Sequence, residues 1–405
     1  MFNVTKVRIR CGIRALTSRQ LSATAHCRSL DYYIVKTAEG NKLRVALEKA
    51  KQIIGYHSFR GTRPINEDRY SIKNLQMPGD DRNNEIESQR LYIGIFDGHG
   101  GSEVSEWLSK NLYSLIESVE LKELPNIIKE LKTFGGYFRR FCIPTAFKDI
   151  AEVSTGLPIH GNRDLVLTLE QRLNISFLKA DVICTEKEQL AAGHDRKSVQ
   201  SGSTGSIAIV QSKDTKPFWE SEQYDIVVAH VGDTRILLCD ASTGEVVSLS
   251  TGDHHPNNSF EMDRIRKYAG YVTTDSWGDD RILGTLATSR AFGDSKLKRF
   301  GVSAEPDFVR HSFSSNNPAA FMVLVTDGIT SVMSNQEIVD CVKLYDDPQT
   351  ASKEIVNMAE QYGTEDNATC MVVRLKGWGT AMPDYTKRLR DYKSSTSTMS
   401  SRQSW

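Results

Sequence analysis

An α+β fold built on antiparallel sheet is what this 405-residue chain predicts, on three observations. Short apolar runs of strand length, Thr204 to Val210, Asp225 to Val231 and Arg235 to Cys239, follow one another with loops rich in Gly, Asp and Ser between them. That is the rhythm of antiparallel strands. Elsewhere apolar residues recur at helical spacing, as in Ser102 to Ser118, where Val104, Trp107, Leu108, Leu112, Leu115 and Ile116 form a stripe and Ser102 is a candidate N-cap. Finally, two apolar strands, Leu91 to Phe96 and Phe321 to Thr326, each run into Asp-Gly. A carboxylate leaving a buried strand sits at a fixed depth, and the neighbouring glycine lets a small ligand approach the backbone.

Composition sets the outer bounds. With 39% hydrophobic residues and 25% charged, the chain has the make-up of a soluble globular protein large enough for one large domain or two. No uninterrupted apolar run approaches the roughly 18 residues of a membrane span, so an integral membrane protein is not expected. The formal net charge is zero, yet residues 1–30 hold Lys6, Arg8, Arg10, Arg14, Arg19 and Arg28 and no acid, leaving the remainder acidic. With Val4, Val7, Ile9, Ile13 and Leu16 available for one helical face among Ser, Thr and Ala, residues 1–30 have the composition of a mitochondrial transit peptide. The acidic remainder offers no footprint for nucleic acid. Seven cysteines, without any C-x-x-C spacing, suggest neither a zinc frame nor a disulfide ladder, and buried free thiols are expected.

Taken in order, residues 31–49 read as a connecting segment, with a helix around Leu43, Val45, Ala46, Leu47 and Ala50. Ile53 to Gly61 alternates as a strand does, and Arg63 to Ile72 is an edge or irregular segment because of Pro64. Residues 78–90 form a polar loop before the strand that ends at Asp97. After the helix at 102–118, the mixed, turn-rich stretch at about 120–165 reads as an exposed insertion, and Thr168 to Glu188 as a helix. The strands from Thr204 are followed by one amphipathic helix, Glu261 to Tyr268, and a long loop region from Gly270 to Asp307. The strand ending at Asp327 leads to helices near Asn335 to Leu344 and Thr350 to Tyr362 and a last strand, Ala368 to Leu375. Residues 377–405, basic and then Ser/Thr-rich, read as a disordered tail.

The chemistry is in the carboxylates. Glu67-Asp68, Asp97, Asp327 and Asp366 all sit at strand edges, with glycine or asparagine beside most of them and no histidine pair or cysteine nearby. Hard oxygen donors of this kind suit magnesium or manganese in place of zinc. Two such ions would polarise a phosphoryl oxygen and bring a bound water toward ionisation at neutral pH. Arg63 could grip two phosphate oxygens through its planar fork, and His99, two residues after Asp97, could protonate a departing alkoxide. No serine or cysteine nucleophile motif is present, which argues against a covalent phosphoenzyme.

In order along the chain stand Arg63 with Asn66-Glu67-Asp68, Phe96-Asp97-Gly98-His99-Gly100-Gly101, Ser201-Gly202-Ser203-Thr204, His230-Val231-Gly232-Asp233-Thr234-Arg235, Asp253-His254-His255-Pro256, Ser289 to Asp294, Thr326-Asp327-Gly328 and Glu365 to Thr369. This ordered set resembles the metal-dependent protein phosphatase family of type 2C, over roughly residues 50–376. The resemblance implies a four-layer α-β-β-α sandwich, two antiparallel sheets flanked by helix pairs, with a two-ion site at one end. It implies that Asp97 bridges both ions and the Gly98 carbonyl binds one, that Asp327 and Asp366 bind the other, and that Glu67 and Asp68 act through bound water. Arg63 matches the phosphate-binding arginine, His99 the general acid, and Asp233 a ligand of a weak third ion; Asp253 to Pro256 matches a structural loop. The expected activity is hydrolysis of phosphoserine and phosphothreonine in proteins, by a monomer using Mg2+ or Mn2+, in the mitochondrion and in its matrix before its intermembrane space. In one departure, Thr330 and Ser331 stand where the family carries tryptophan and aspartate, which bears on the third ion. The alternative is a phosphatase-fold protein that binds phosphoproteins without catalysis; retention of Arg63, Asp97, Asp327 and Asp366 speaks against it.

Overall fold

The computed structural model describes residues 29–37, 39–78, 80, 86–134, 147, 167–192, 201–275, 278 and 280–400, with side chains left aside at 187–192 and 397–400. The leader, apart from Ser29 and Leu30, and most of the expected insertion lie outside the described residues. The chain opens with a hairpin of β1 (Tyr32–Lys36) and β2 (Lys42–Ala46). A helix was the expectation for this segment. The Tyr-Tyr-Ile-Val run of β1 overrides it, because Tyr33 and Ile34 are buried there and Gln89 bonds both the N–H and the carbonyl of Ile34. Strands β3 (Ile54–Phe59), β4 (Arg69–Leu75), β5 (Arg90–Phe96) and the two-residue β6 (Gly98–His99) follow. Helices α1 (Glu103–Ser118), α2 (Leu124–Thr133) and α3 (Leu169–Ala192) come next. Ser102 occupies the N-cap of α1 without a capping side-chain bond.

The second half begins with β7 (Gly202–Ser203), β8 (Gly205–Ser212), β9 (Tyr224–Val231), β10 (Arg235–Asp240) and β11 (Val246–Ser248). After α4 (Ser259–Lys267), the region expected as loop holds β12 (Val272–Thr274), β13 (Asp280–Ile282), β14 (Phe292–Gly293) and α5 (Ser295–Lys298). Strands β15 (Asp307–Phe313) and β16 (Ala319–Val325) lead into the single turn α6 (Asp327–Thr330), helices α7 (Asn335–Val342) and α8 (Pro348–Gln361), strand β17 (Ala368–Arg374) and helix α9 (Lys387–Ser400).

Two five-stranded antiparallel sheets result, ordered β11-β10-β16-β17-β3 and β15-β9-β8-β5-β4. Period-two alternation explains how they stack. In β5, Leu91, Ile93 and Ile95 point into the core between the sheets, where Ile236, Leu238, Met322, Leu324, Met371 and Val373 come from the other side. Tyr92 and Phe96 point the opposite way, onto α1, α2 and α3. In β16 the alternate residues Phe321, Val323 and Val325 pack under α7 and α8. The outcome is the four-layer α-β-β-α sandwich. All four described cysteines, Cys184, Cys239, Cys341 and Cys370, are free and buried. No described helix is long and apolar enough to cross a membrane.

The tail departs from expectation. It is helical over Lys387–Ser400, and it is tied down: Asp340 of α7 accepts the N–H groups of Tyr385 and Thr386, Arg390 pairs with Asp384 at 2.6 Å, and Lys393 pairs with Glu337 at 2.8 Å. Composition read this segment as unable to build a core; it docks on one already present, by these charges and by Trp378 and Met382, which pack against the cluster under α7 and α8.

Candidate active site

The ends of the central strands of both sheets converge on one acidic cluster. Asp97 follows β5, Asp233 lies in the turn between β9 and β10, and Asp327 opens α6 directly after β16. A ligand oxygen from each of these three lies within 4.8 Å of the others. Strand pairing does this: β5, β8 and β9 are successive neighbours in one sheet, and β10 and β16 are paired in the other, so residues far apart in sequence leave the sandwich at one edge.

The backbone around each carboxylate is fixed. The Asp97 carbonyl accepts from Thr204 N–H at 2.8 Å and the Ser203 hydroxyl at 3.0 Å. Gly232 is at φ 109° against Thr204, and its N–H donates to His254 Nδ1 at 2.9 Å, which sets the turn that presents Asp233. His255 stands 3.6 Å from Asp233. His254 and Asp253 are engaged elsewhere, with Asp307 at 3.0 Å and Arg235 at 2.6 Å.

Asp68, just before β4, is 4% exposed. Its Oδ2 accepts the hydroxyls of Thr369 at 2.7 Å and Thr326 at 3.0 Å, while Oδ1 is buried with no hydrogen-bond partner. A buried carboxylate oxygen left that way costs roughly 1–3 kcal/mol or more, and a cation or its bound water would satisfy it. Asp366, before β17, accepts Arg63 Nη2 at 2.7 Å, and the Arg63 side chain is 56% exposed. Glu67 is anchored through its backbone, N–H to Asn367 Oδ1 at 2.7 Å and carbonyl from the Ser105 hydroxyl at 2.6 Å; its carboxylate is not in the group of three. Gly98 packs so tightly on the Glu67 carbonyl and Ser105 Oγ that a side chain there would displace them. His99 Nε2 is 2.8 Å from Asp294 Oδ2.

Electrostatics agree with a site short of positive charge. Burial, then the neighbouring carboxylates, raises all four inner aspartates: Asp68 to about 7, Asp233 to about 8, and Asp97 and Asp327 also above the ordinary carboxylate value. Burial opposes a charged His99, but Asp294 outweighs it, with help from Asp233 and Glu67, and the ring titrates above its usual value. An all-oxygen donor set of several buried carboxylates fits Mg2+ or Mn2+. Ser331 adds nothing to the set: its hydroxyl donates to the Gly328 carbonyl at 3.3 Å.

The expected ligands Asp97, Asp233 and Asp327 are thus together, Asp68 adjoins Asp327 and Asp366 electrostatically, and Arg63 is committed to Asp366. Thr326, Thr369, Asn367 and Asp294 are partners to which the sequence reading assigned no role. Each lies inside one of the quoted motifs, yet nothing in a motif says which side chain faces which.

The sequence profile described as Protein phosphatase 2C matches residues 55–368. The chain is 38% identical to Protein phosphatase 2C homolog 4 of Schizosaccharomyces pombe, over 90% of this chain and 91% of the relative. It is 29% identical to the mitochondrial Protein phosphatase 1K of Xenopus laevis, over 80% of this chain and 69% of that one. Among solved structures, a serine-threonine phosphatase 2C from Toxoplasma gondii superposes with a TM-score of 0.54 at 22% identity, covering 79% of this chain and 94% of its own. A second Toxoplasma gondii phosphatase gives 0.56 at 18%, covering 86% and 95%. At such identities these two speak to the fold alone.

Proposed function

The chain belongs to the protein phosphatase 2C family and is a metal-dependent protein serine/threonine phosphatase, and from that premise we propose a two-ion hydrolysis of phosphoserine and phosphothreonine on mitochondrial phosphoproteins. The observation that carries this reading is the acidic cluster of Asp97, Asp233 and Asp327, with the partnerless Asp68 Oδ1 beside it. Asp97 and the Gly98 carbonyl, with Asp327 and Asp366, would hold two Mg2+ or Mn2+ ions; Glu67 and Asp68 would act through bound water, and Asp233 would serve a weak third ion. When bound, such ions make a water nucleophilic at neutral pH and polarise the phosphoryl group. The protein's own share is positional. Arg63, exposed and hinged on Asp366, is placed to exchange that partner for the phosphate and to orient it bidentately. His99 supplies the proton that the departing seryl or threonyl oxygen needs. Ser331 weakens any third-ion site, since it offers a hydroxyl turned toward its own helix.

For location, the basic leader of residues 1–30 supports the mitochondrion, as does the likeness to a relative named mitochondrial. The matrix is the compartment a transit peptide of this kind addresses first.

The test is hydrolysis of a phosphoserine peptide by the full chain in Mn2+. Turnover should vanish on chelation, return with added Mn2+, and fall at least about 100-fold in Asp97→Asn. Equal turnover by wild type and Asp97→Asn would end the two-ion reading. A fluorescent fusion that stayed in the cytosol would end the mitochondrial one.

A further inference from the structure

His99 and Asp294 are 195 positions apart in the chain, and their side chains meet at 2.8 Å. Asp294 is 3% exposed and sits at φ 50°, ψ 47°, in the left-handed region that is uncommon outside glycine though aspartate tolerates it better than most, and its surroundings hold it there. Several restraints do so. Gly293 N–H donates to Asp181 Oδ1 of α3 at 2.9 Å. Lys298, at the end of α5, pairs with the same oxygen at 2.8 Å, both side chains being fully buried, and donates to the Ala291 carbonyl at 2.7 Å. The segment carrying Asp294 is therefore clamped before and after it. A buried lysine–aspartate pair adds little net stability over apolar packing of the same volume, so one placed here is better explained by the position it fixes.

The same geometry builds the other half of the contact. Strands β14, β7 and β6 form a three-stranded sheet in which Gly202 is paired with Gly293 on one side and with His99 on the other. A Cβ on Gly202 would fall on Asp294 Oδ2 and His99 Nε2 together. The glycine is what lets the two side chains meet across the small sheet.

We infer that Asp294 is a positioning residue of the phosphatase reaction: its carboxylate takes the Nε2–H of His99 and leaves Nδ1 as the nitrogen that faces the leaving group. This rests on the reading of His99 as the general acid. When the bond from phosphorus to the seryl or threonyl oxygen breaks, the electron pair stays on that oxygen. The proton that neutralises it comes from Nδ1, and the ring is left neutral with its Nε2–H still on Asp294. Without the carboxylate the ring is free to turn or to adopt the other tautomer, and the proton is no longer presented.

Leaving-group dependence tests this. A serine alkoxide needs the proton, whereas p-nitrophenolate leaves well without it. In the full-length Mn2+-loaded protein, Asp294→Asn should lower kcat on a phosphoserine peptide about 10- to 100-fold, with little change in KM, and should lower p-nitrophenyl phosphate turnover far less. Asparagine also tolerates the left-handed region, so the fold should persist, as circular dichroism would report. The double variant His99→Asn/Asp294→Asn should be no slower than His99→Asn alone. As a readout independent of turnover, the ring 15N shifts of His99 in the metal-free protein should show the Nε2–H tautomer in wild type and its loss in Asp294→Asn. Equal losses on the two substrates, additive effects in the double variant, or an unchanged tautomer would each overturn the inference. If His99→Asn itself showed no leaving-group dependence, the general-acid reading would fall, and this inference with it. If His99→Asn showed that dependence and Asp294→Asn did not, only the role of Asp294 would be lost.

Discussion

Among single residues, Glu261 shows how much one buried charge can matter away from the acidic cluster. It is 2% exposed and lies between Arg264, at 2.5 Å, and Arg290, at 2.8 Å, while Arg290 also grips Asp307 at 2.7 Å. Burial alone would raise the Glu261 carboxyl, but the two guanidinium groups override it and hold it well below the usual carboxylate range. A depressed carboxylate contributes stability above its unfolded value, near pH 4.5, and that contribution drains away as pH falls below it. Glu261→Gln should therefore cost about 3 kcal/mol of unfolding free energy at pH 7, and the gap from wild type should narrow steadily below about pH 4.5 in denaturant melts. A gap independent of pH would show that packing, not charge, is lost. The sequence offered Glu261 only as a helix-start residue, because its two arginine partners include one 29 residues away. Asp97, by contrast, was legible, since Asp-Gly after a buried strand carries its depth and its chemistry within a few residues.

Among elements, the C-terminal helix α9 is the clearest departure from composition-based expectation. Its residues lack the apolar stripe of an autonomous helix, and an isolated helix of this length is marginal in water. It forms because α7 offers buried acceptors: Asp340 receives two backbone N–H groups and the Thr386 hydroxyl, and Lys393 reaches both Glu337 and the Val332 carbonyl. Arg390, 5% exposed, closes the arrangement on Asp384. Arg390→Ala should lower stability by about 3 kcal/mol, since Asp384 loses its charge partner, and it should speed proteolysis of residues 387–400 ahead of the sandwich. Loss of the whole domain and the tail in one step would argue that α9 is part of the cooperative core. The hairpin of β1 and β2 was missed for a related reason: Gln89, which pairs with the edge of Ile34, lies 55 positions away. Most central strands of both sheets were legible because alternation is a local signal that survives burial, whereas β4 read as an edge or irregular segment and β11 and β15 were not read as strands at all.

For the molecule as a whole, one consequence follows from gathering Asp68, Asp97, Asp233 and Asp327 at one edge of the sandwich. Their mutual repulsion in a buried place opposes folding unless cations share the site, so Mn2+ or Mg2+ should act as a stabiliser as well as a catalyst. At a free ion concentration 100 times the dissociation constant, the gain should be about 2.7 kcal/mol for one ion, a rise in Tm of several degrees that EDTA reverses. A Tm indifferent to divalent ions would count against the cluster as a metal site. Periodicity and turn chemistry act over a few neighbours, so the chain alone shows the α+β class, most of the central strands and the longer helices, and the order of the motifs, with Arg63, Asp97 and Asp327 as candidate site residues. Only the tertiary structure decided that Thr326 and Thr369 hold Asp68, that Asp294 meets His99 across Gly202, and that the basic tail is a helix. Those contacts join residues 45 to about 300 positions apart, and their geometry is set by sheet register and core packing, which no local stretch of chain encodes.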